Sequence, residues 1–563
     1  MKPLFFLFGA VLALNTHANA QWQWGRSSNF TGDTTAYAEG TYMTTDNAGN
    51  VYGLGEFGSA SNLPCTIHFG ATNFTTSGDR QNVLVKYDST GHLLWAKNIV
   101  FTGTSHGIYS IGADGNGNVY LFGQFINTVT FDSATTLTAG STGSDYGFIV
   151  KYSPAGKVIW AKHTYLDAGY MSVDTAGNIF IAGAYQVSIT LGTITLTNAS
   201  STGTTDIFVA KYDSSFHTVW AKSAGGSLNE TITAFAIDDS DNAYVGGSST
   251  SAAITFGTVS LTNPHDMYVA KFNASGTALW ANGIMAGASG DNIAGISPSR
   301  GSKHGVYICG TFQSAQMVLG ADTIHRTNYY NSFIARYDSV GSYAWVRTVR
   351  SANSALGTYG YAMTTDVLGN AWVSGAASPG IGSIHGRTYT IFGTDTLAAD
   401  SNYDASYIAE YSPTGSFMKA LNVNSGGDDY NSITSDKFGN VFFGADILGV
   451  PVSIGPDVIY PNKMEEQLLI AKYRADSLHS EYVPVVNAEH MQLYPNPATG
   501  SIHVILPYTN GIIEVRDLYG RRVLLQNITA LQTNISLEGL APGMYNVIWH
   551  NDEKKLVSKF VIK

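Results

Sequence analysis

The sequence has 563 residues, of which 61 are glycine, 12% are aromatic and only 13% are charged. Its formal net charge is −11, and it has no run of basic residues. Nucleic acids and anionic membranes are bound through clustered Lys and Arg. The composition therefore argues against both partners and fits an exported all-β protein whose surface is rich in Ser, Thr, Asn and Gly.

Residues 1–20 have the pattern of a secretory signal peptide. Lys2 precedes an apolar run that ends at Leu14, and Ala18-Asn19-Ala20 provides a cleavage site of small residues. The apolar run is too short for a permanent transmembrane helix. Because no later stretch reaches that length, we expect the mature chain to begin at Gln21, to be soluble and to have no membrane span.

One pattern recurs from Trp24 to Tyr473. It begins with an Asp-x-x-Gly-Asn turn that runs into a strand of alternating apolar residues with a nearly fixed small residue. Such turns begin at Asp46, Asp114, Asp174, Asp366 and Asp436, with degenerate copies at Asp238 and near His304. A small residue at a fixed place suits a strand that packs closely between neighbouring sheets.

Two further signatures complete each repeat. A strand ending in Lys-Tyr or a variant closes at Tyr87, Tyr152, Tyr212, Phe272, Tyr337, Tyr411 and Tyr473. Trp-Ala-Lys or a related strand follows the first five copies, at Trp95, Trp160, Trp220, Trp280 and Trp345. The sixth copy has Lys419-Ala420 instead, and the seventh has no tryptophan. The missing strand occurs at the other end of the repeats, as Trp24-Gly25-Arg26.

Seven repeats of about 60 to 70 residues, each with four strands and no helical period, predict a β-propeller. We predict an all-β fold: a seven-bladed β-propeller over residues 21–483, whose N-terminal strand completes the last blade. Closure of the ring would remove open sheet edges. The repeat resembles the SBBP repeats, which form seven-bladed propellers in secreted bacterial proteins. This resemblance implies a fold and hardly any activity, since propellers host many unrelated functions.

After a linker at residues 484–490, residues 491–563 have alternating apolar residues between Asn-Gly, Tyr-Gly and Pro-Gly turns, which predicts a small β-sandwich. This segment resembles the type A C-terminal sorting domain of the type IX secretion system. The resemblance is carried by Tyr494, Pro495, Asn496, Pro497, Gly500, Asp517, Gly520, Gly543, Tyr545 and Lys559. It implies the type IX secretion machinery as a partner and a secreted or outer-surface location on a Gram-negative bacterium.

Motifs that would carry chemistry are sparse. The sequence has no His-Glu-x-x-His motif, and its two cysteines form no Cys-x-x-Cys pair, so we assign no catalytic residue and no metal site. The turns at 114–118 and 238–242 place oxygen-bearing side chains at alternating positions, as calcium sites do. Since Asx side chains also stabilise tight turns by themselves, we expect no cofactor, with calcium in one turn as the alternative.

Position within the repeat suggests a ligand-binding end. The segments that lead from a Trp strand into the next repeat should converge at one end of the axial channel, where polar groups around a cavity indicate a binding site. The candidate residues there are Asp33, His106, Asp167, Glu230, Asp291, Tyr359, Asp428, Asp429 and Tyr430.

The sequence favours a secreted or surface-displayed protein for binding or adhesion, with a glycan or a surface protein as its ligand. An extracellular polysaccharide hydrolase or lyase that uses the acidic loop residues is the first alternative, because paired carboxylates can act on glycosides. A passive structural surface protein is the second. Enzymatic activity stays open, and the non-enzymatic interpretation is preferred.

Overall fold

The structure is a computed structural model that describes residues 21–33, 35–103, 106–140, 146–164, 166, 169–200, 203–262, 266–287, 290–300, 304–352, 357–377, 387–400, 405–423, 431–448, 451–454, 457–461, 466–474, 491–506, 510–517, 521–529, 532–551 and 555–562. The chain divides into two compact bodies, Met1–Ser477 and Leu478–Lys563. All described regular structure is β-strand, which confirms the predicted all-β class. The predicted linker at 484–490 lies outside the described residues.

The first body opens with two strands and continues with seven units, numbered in chain order. The opening strands are β1 (Gln21–Ser27) and β2 (Asn29–Gly32). Unit 1 consists of β3 (Ala36–Thr45), β4 (Val51–Ser59), β5 (Cys65–Phe69), β6 (Thr72–Thr76), β7 (Gln81–Tyr87) and β8 (Leu93–Thr102). Unit 2 consists of β9 (His106–Ala113), β10 (Val119–Phe125), β11 (Thr128–Asp132), β12 (Thr135–Thr138), β13 (Tyr146–Tyr152) and β14 (Val158–Thr164).

The next two units repeat this plan. Unit 3 consists of β15 (Tyr170–Val173), β16 (Ile179–Tyr185), β17 (Ser188–Leu191), β18 (Ile194–Thr197), β19 (Asp206–Tyr212) and β20 (Thr218–Gly226). Unit 4 consists of β21 (Glu230–Ile237), β22 (Ala243–Ser249), β23 (Ala253–Phe256), β24 (Val259–Thr262), β25 (Asp266–Phe272) and β26 (Ala278–Met285).

The last three units follow the same order. Unit 5 consists of β27 (Asn292–Pro298), β28 (Gly305–Phe312), β29 (Gln316–Leu319), β30 (Asp322–His325), β31 (Asn331–Asp338) and β32 (Tyr343–Ser351). Unit 6 consists of β33 (Thr358–Thr365), β34 (Ala371–Ala377), β35 (Arg387–Phe392), β36 (Asp395–Asp400), β37 (Ala405–Tyr411) and β38 (Phe417–Asn422). Unit 7 consists of β39 (Ser432–Ser435), β40 (Asn440–Ile447), β41 (Val452–Ile454), β42 (Asp457–Ile459) and β43 (Gln467–Arg474).

Units 1 to 6 are each a four-stranded antiparallel sheet with an inserted hairpin, and unit 7 provides three strands and a hairpin. In unit 1 the sheet order is β3-β4-β7-β8, and we call these the first, second, third and fourth strands. Four-stranded sheets of this kind are consistent with propeller blades. The first strands contact one another in the order β3, β9, β15, β21, β27, β33 and β39, and β39 contacts β3. The described units therefore form a closed ring around their first strands.

The N-terminal segment joins the ends of this ring. Strand β1 pairs antiparallel with β43 as the fourth strand of unit 7, with Trp24 opposite Lys472. In unit 1 the corresponding cross-strand pair is Lys86 with Trp95. Strand β2 then pairs with β5, so the segment contacts both the last and the first unit through backbone hydrogen bonds.

The inserted hairpins extend the sheets beyond four strands. Strand β11 of unit 2 pairs with β8 of unit 1, which produces a six-stranded sheet. The same pairing to the preceding unit occurs at β20, β26 and β32. Each such hairpin covers the hydrogen-bonding edge of a fourth strand, and uncovered edges are sites of aggregation.

The Asp-x-x-Gly-Asn turns are held by the Asp side chain. Asp46 Oδ1 accepts hydrogen bonds from the amides of Ala48 (2.9 Å) and Asn50 (3.0 Å), and Oδ2 accepts one from Asn50 Nδ2 (2.8 Å). The Tyr52 hydroxyl lies 3.0 Å from Asp46 Oδ2 and 2.9 Å from the Gly117 carbonyl oxygen of unit 2. One carboxylate thus shapes its own turn and connects it to the next unit.

In five of the fourth strands a tryptophan packs against a glycine of the following unit, whereas Trp160 of unit 2 stacks on Phe216. Trp95 Nε1 donates to the carbonyl of Pro154 at 3.0 Å, and a Cβ on Gly156 would lie 2.9 Å from the Trp95 ring. Gly156 also has φ +72°, a conformation that L side chains rarely adopt. The same contact pairs Trp24 with Gly91, Trp220 with Gly276, Trp280 with Gly341 and Trp345 with Gly415. These contacts explain why Trp and Gly recur together in the sequence.

The two cysteines are distant in the ring. Cys65 lies in unit 1 and Cys309 in unit 5; both side chains are buried, and no disulfide joins them. Burial raises the pKa of the Cys309 thiol to about 12, which keeps it protonated. Within the described part of the chain, no helix has the length and apolar character that crossing a membrane requires.

The second body contains small antiparallel sheets around one core. Its strands are β44 (Gln492–Thr499), β45 (Ser501–Ile505), β46 (Gly511–Asp517), β47 (Arg522–Ile528), β48 (Gln532–Ser536), β49 (Gly543–His550) and β50 (Lys555–Ile562). Strands β44, β45 and β48 pair on one side, and β47, β46, β49 and β50 pair on the other. Trp549, which is fully buried, lies in the core with Ile513, Val547 and Phe560.

Candidate functional site

One end of the ring, where each fourth strand leads into the next first strand, contains the predicted ligand-binding residues that the structure describes. We call it the loop end. Asp33 precedes β3, Glu230 begins β21, Asp291 precedes β27 and Tyr359 is the second residue of β33. His106 begins β9, and only its backbone is described. Asp167, Asp428, Asp429 and Tyr430 lie outside the described residues.

Glu230 is completely buried rather than open to the loop end. Its Oε2 accepts a hydrogen bond from the Gly226 amide at 3.0 Å, and its Oε1 accepts one from the Ser249 hydroxyl at 2.9 Å. Burial raises the pKa of Glu230, although hydrogen bonds from serine hydroxyls oppose the shift. The carboxylate therefore holds the loop that precedes β21 against the end of β22.

Asp33 and Asp291 have a similar arrangement in units 1 and 5. Asp33 Oδ2 accepts hydrogen bonds from Thr35 Oγ1 at 2.5 Å and from the Ser59 hydroxyl. Asp291 Oδ1 accepts one from the Gln313 amide at 2.6 Å, and its Oδ2 accepts one from the Ser314 hydroxyl. In units 1, 4 and 5, an acid before or at the first strand thus binds a serine at or after the end of the second strand.

Tyr359 belongs to a chain of four tyrosine rings contributed by units 5 and 6. The ring centroids of Tyr329 and Tyr330 are 4.6 Å apart, those of Tyr330 and Tyr359 are 5.2 Å apart, and those of Tyr359 and Tyr361 are 5.9 Å apart. Tyr329 is 60% exposed, and the other three are partly exposed. We call these four residues the tyrosine chain.

The backbone around the tyrosine chain is held in place. The Tyr407 hydroxyl lies 3.1 Å from the Tyr359 carbonyl oxygen, to which it donates, and a Cβ on Gly357 would lie only 2.8 Å from the Tyr330 ring. Tyrosine offers an apolar ring face and a hydroxyl that hydrogen-bonds, at little loss of conformational entropy. Such a surface can contact the apolar face and hydroxyls of a sugar, or a protein ligand.

Sequence reasoning named only Tyr359 of these four. Tyr329 and Tyr330 precede the third strand of unit 5, so the repeat register gives no sign that they approach β33 of unit 6. Tyr361 lies at a β-bulge, because the β33–β34 register shifts between Gly360 and Ala362. A bulge adds a residue outside the strict alternation of a strand. The adjacent pair Tyr329-Tyr330 is the signal that the sequence offered.

Residues 103–107 read Gly-Thr-Ser-His-Gly, which matches the spacing of the nucleophile elbow of hydrolases. The elbow requires a turn from a strand into a helix, which exposes the serine at its apex. Thr104 and Ser105 lie outside the described residues, between β8 and β9 of adjacent units. The spacing alone therefore assigns no nucleophile.

The Asp turns proposed as calcium sites use their carboxylates internally. Asp114 Oδ1 accepts from the amides of Asn116 and Asn118, and Oδ2 accepts from Asn118 Nδ2 at 2.7 Å. Asp238 makes the equivalent contacts to Ser240 and Asn242. Across the described residues, no three His, Cys, Asp or Glu side chains group together as metal ligands would. The contacts of both turns match the Asx-stabilised geometry.

Several residues that carry the sorting-domain resemblance shape turns in the second body. Asp517 Oδ1 accepts from the Arg521 amide at 3.0 Å, and the Tyr545 hydroxyl donates to the Ala541 carbonyl at 2.7 Å. Gly500 has φ +76° between β44 and β45, and Lys559 lies on β50 opposite Asn546. The side chains of Tyr494, Pro495, Asn496 and Pro497, and all of Gly520, lie outside the description.

Comparison with known proteins gives partial matches. The chain is 29% identical over 231 residues to an uncharacterized WD repeat-containing protein of Acanthamoeba polyphaga mimivirus, a match that covers 35% of this chain and 16% of that protein. The chain therefore spans well under two thirds of this relative's length.

Solved structures align over most of the chain with low similarity. PorZ, a surface component of the type IX secretion system of Porphyromonas gingivalis, aligns over 95% of this chain and 100% of its own, with 7% identity and a TM-score of 0.19. A Dyadobacter fermentans protein of unknown function aligns over 81% and 99%, with 9% identity and a TM-score of 0.35. The fold is therefore defined by the strand pairing itself.

The C-terminal match is specific. Residues 492–563 match the family model of the secretion system C-terminal sorting domain. That match nearly coincides with the second body and with the segment that the sequence motifs indicated. The chain is therefore exported by the type IX secretion system, interacts with that machinery, and is located at the outer cell surface or outside the cell.

Proposed function

We propose that the first body is a seven-bladed β-propeller of the SBBP type, which binds a glycan or a surface protein after export. The closed ring of first strands and the pairing of β1 with β43 support the propeller assignment. The observation that carries the binding function is the tyrosine chain at the loop end. Aromatic side chains dominate the energetics of many recognition surfaces, and they rarely remain accessible together in a purely structural protein.

The described acids of the loop end favour binding over catalysis. Glu230 is buried, and Asp33 and Asp291 accept hydrogen bonds from their own loops. A glycosidase needs two carboxyl groups that face the scissile bond from opposite sides. Carboxylates engaged by loop serines are poorly placed for that chemistry.

The test uses the exported chain with a panel of polysaccharides, host glycans and surface protein extracts. Bound protein and released reducing ends are measured in the same wells. We expect binding without release, and a loss of binding of about tenfold or more when Tyr329 and Tyr330 are both replaced by Ala, as for residues at the centre of an interface. Tyr460→Ala is the matched control, because Tyr460 is 74% exposed in unit 7, outside the tyrosine chain.

Each other outcome points to a different class of protein. Release of reducing ends would contradict the binding proposal and support the hydrolase or lyase alternative. Binding that Tyr329→Ala/Tyr330→Ala leaves unchanged would remove the tyrosine chain from the site. Absence of both signals would support a passive structural surface protein.

A further inference from the structure

A cavity lined by both polar and apolar groups lies where the ring closes, between units 7 and 1. It has a volume of about 720 Å³ and is lined by the beginning of β3, the end of β4, the segment before β7, and residues Leu448 and Glu466 of unit 7. This volume falls within the range of small-molecule sites, about 300–1,000 Å³. None of the tyrosine chain residues lines it. We call it the seam cavity.

A positioned arginine forms one wall of the seam cavity. Arg80 Nε lies 2.9 Å from the Tyr37 hydroxyl and 3.0 Å from Glu56 Oε1, and its guanidinium carbon lies 5.8 Å from the centre of the Tyr37 ring. The Arg80 side chain is nevertheless 59% exposed. The Tyr37 hydroxyl and Glu56 therefore hold the guanidinium at Nε, while much of the side chain stays accessible to solvent. Such an arginine suits recognition of neighbouring oxygen atoms of a ligand.

Carboxylates provide acceptors beside this arginine. Glu39 lines the cavity and stands directly opposite Glu56 in the β3–β4 ladder. Like charges in directly opposed positions destabilise a sheet. Burial raises the pKa of the Glu56 carboxyl, an effect that Arg80 opposes and Glu39 reinforces. One arginine thus faces two strand carboxylates, with Glu466 contributing a third from unit 7. Where a local rule is broken without a gain in packing, a functional site is the expected reason.

The donors and acceptors together limit the ligand. Anionic ligands would be repelled by Glu39 and Glu466, and a mainly apolar ligand would offer no hydrogen bonds to the charged side chains of the cavity. A neutral sugar carries adjacent hydroxyls that both donate to carboxylates and accept from a guanidinium. We propose that the seam cavity binds a neutral sugar residue, as a site separate from the tyrosine chain.

The experiment measures binding of methyl glycosides to the full exported chain by calorimetry and ligand-observed NMR. Methyl glucoside, methyl galactoside and methyl mannoside are compared with anionic glucuronate and cationic glucosamine. We expect at least one neutral glycoside to bind with a Kd of about 1–10 mM, the range of a small ligand with few contacts. Glu39→Gln should weaken that binding about tenfold, since hydrogen bonds to charged groups are roughly twice as strong as neutral ones.

One matched variant and one stability measurement keep the test specific. Glu538→Gln removes the same charge from an exposed position in the second body and should leave binding unchanged. Glu39→Gln should also raise the midpoint of thermal unfolding, because it removes the opposed charges; a variant that lost binding through misfolding would lower it.

Three results would overturn the proposal. The first is that only glucosamine binds, which would indicate a cation site. The second is that Glu39→Gln does not weaken binding. The third is that no neutral glycoside binds at concentrations well above the expected Kd. Tyr329→Ala/Tyr330→Ala should leave glycoside binding at the seam cavity intact. The two proposed sites can therefore fail independently.

Discussion

Units 1 and 6 solve the same packing problem with different residues. In unit 1, Lys86 Nζ lies 3.3 Å from Asp46 Oδ2, 4.7 Å from the centre of the Tyr52 ring and 3.3 Å from the Pro154 carbonyl oxygen, with Trp95 on the adjacent strand. In unit 6 the positions of Tyr52, Lys86 and Trp95 are taken by Trp372, Glu410 and Lys419. Both units thus keep a large aromatic residue on the second strand and a lysine near it, but in unit 6 the lysine lies on the fourth strand instead of the third.

The rearrangement changes the charge balance. Lys419 Nζ lies 3.3 Å from Glu410 Oε2 and over the rings of Trp372 (5.4 Å) and Tyr473 (5.2 Å), so it still bridges to unit 7. Unit 1 pairs one lysine with one carboxylate, whereas in unit 6 the carboxylate that pairs with Lys419, Glu410, lies near a second acid, Asp366. Both interfaces place a cation over aromatic rings, and in unit 6 burial raises the pKa of the additional acid, Glu410.

The largest effect should come from breaking this interface at the junction of the ring. Trp24 and Lys472 donate to the Ser89 carbonyl at 3.2 and 2.7 Å, just as Trp95 and Lys86 meet Pro154 in the chain interior. Trp24 is 4% exposed, so Trp24→Ala should reduce the free energy of unfolding by about 3–5 kcal/mol. Trp95→Ala is the control, with a smaller loss because Trp95 is more exposed. Denaturant titration of both variants tests the order, and equal losses would contradict it.

Glu410 should make unit 6 sensitive to pH. Burial raises the pKa of its carboxyl from 4.5 to about 7, although Lys419 opposes the shift. The folded chain thus holds this proton more tightly than the unfolded chain, and the resulting stabilisation is complete below pH 4.5 and lost as pH rises through 7. The total change is on the order of 3 kcal/mol.

Glu410→Gln isolates this contribution. The difference in free energy of unfolding between wild type and variant, measured from pH 4 to 8, should fall with rising pH by that amount and then level off. A pH-independent difference would show that Glu410 ionises normally. The double variant Glu410→Lys/Lys419→Trp recreates the unit 1 arrangement and should also remove the pH dependence.

Substitution of the interface glycine should have an intermediate effect. Gly156→Ala must accept φ +72° and a Cβ 2.9 Å from the Trp95 ring. Gly257→Ala is the matched control, since Gly257 has φ +62° with nothing within 4 Å of its added Cβ. We expect a loss of about 1 kcal/mol for Gly257→Ala from conformational strain and about 2–3 kcal/mol for Gly156→Ala. Thermal unfolding gives both values, and indistinguishable losses would rule out a role for the Trp contact.

Calcium should have the smallest effect. The carboxylates of Asp114 and Asp238 already accept hydrogen bonds within their turns. Addition of calcium or of a chelator should therefore shift the thermal midpoint of the exported chain by no more than about 1 °C, since a ligand that does not bind the folded state does not stabilise it. A concentration-dependent rise with calcium, absent with magnesium, would restore the calcium alternative.

The sequence allowed the strand-rich repeat to be predicted because each repeat encodes its own turn and its own contact. Asp46 stabilises a turn through hydrogen bonds to residues within six positions. A glycine occurs at position 156 because the Trp95 ring packs against it. The absent seventh tryptophan pointed to Trp24 by simple counting. The C-terminal domain was predictable because its turn residues, such as Asp517 and Gly500, have specific local geometry.

The candidate site was less predictable because its contacts cross between units. The sequence placed Glu230 among exposed loop acids, but its carboxylate is buried and accepts a hydrogen bond from Ser249 at the end of the neighbouring strand. Tyr330 contacts Tyr359 through packing of unit 5 against unit 6, and nothing in the alternation of either strand specifies that approach. The pairing of β11 with β8 was missed for the same reason, since a strand pattern defines its faces and not its partner.

The pairing of β1 with β43 has a consequence for the order in which the protein acquires its structure. Gln21 lies opposite Arg474, so the first strand synthesised finds its partner only after the last repeat exists. Contacts between such distant residues form late, because a very long loop must close first. Until then the ring stays open, with two unpaired strand edges. Completion of this fold is thus tied to synthesis of the last repeat, and a product truncated before Gln467 would lack β43 and leave its first strand unpaired.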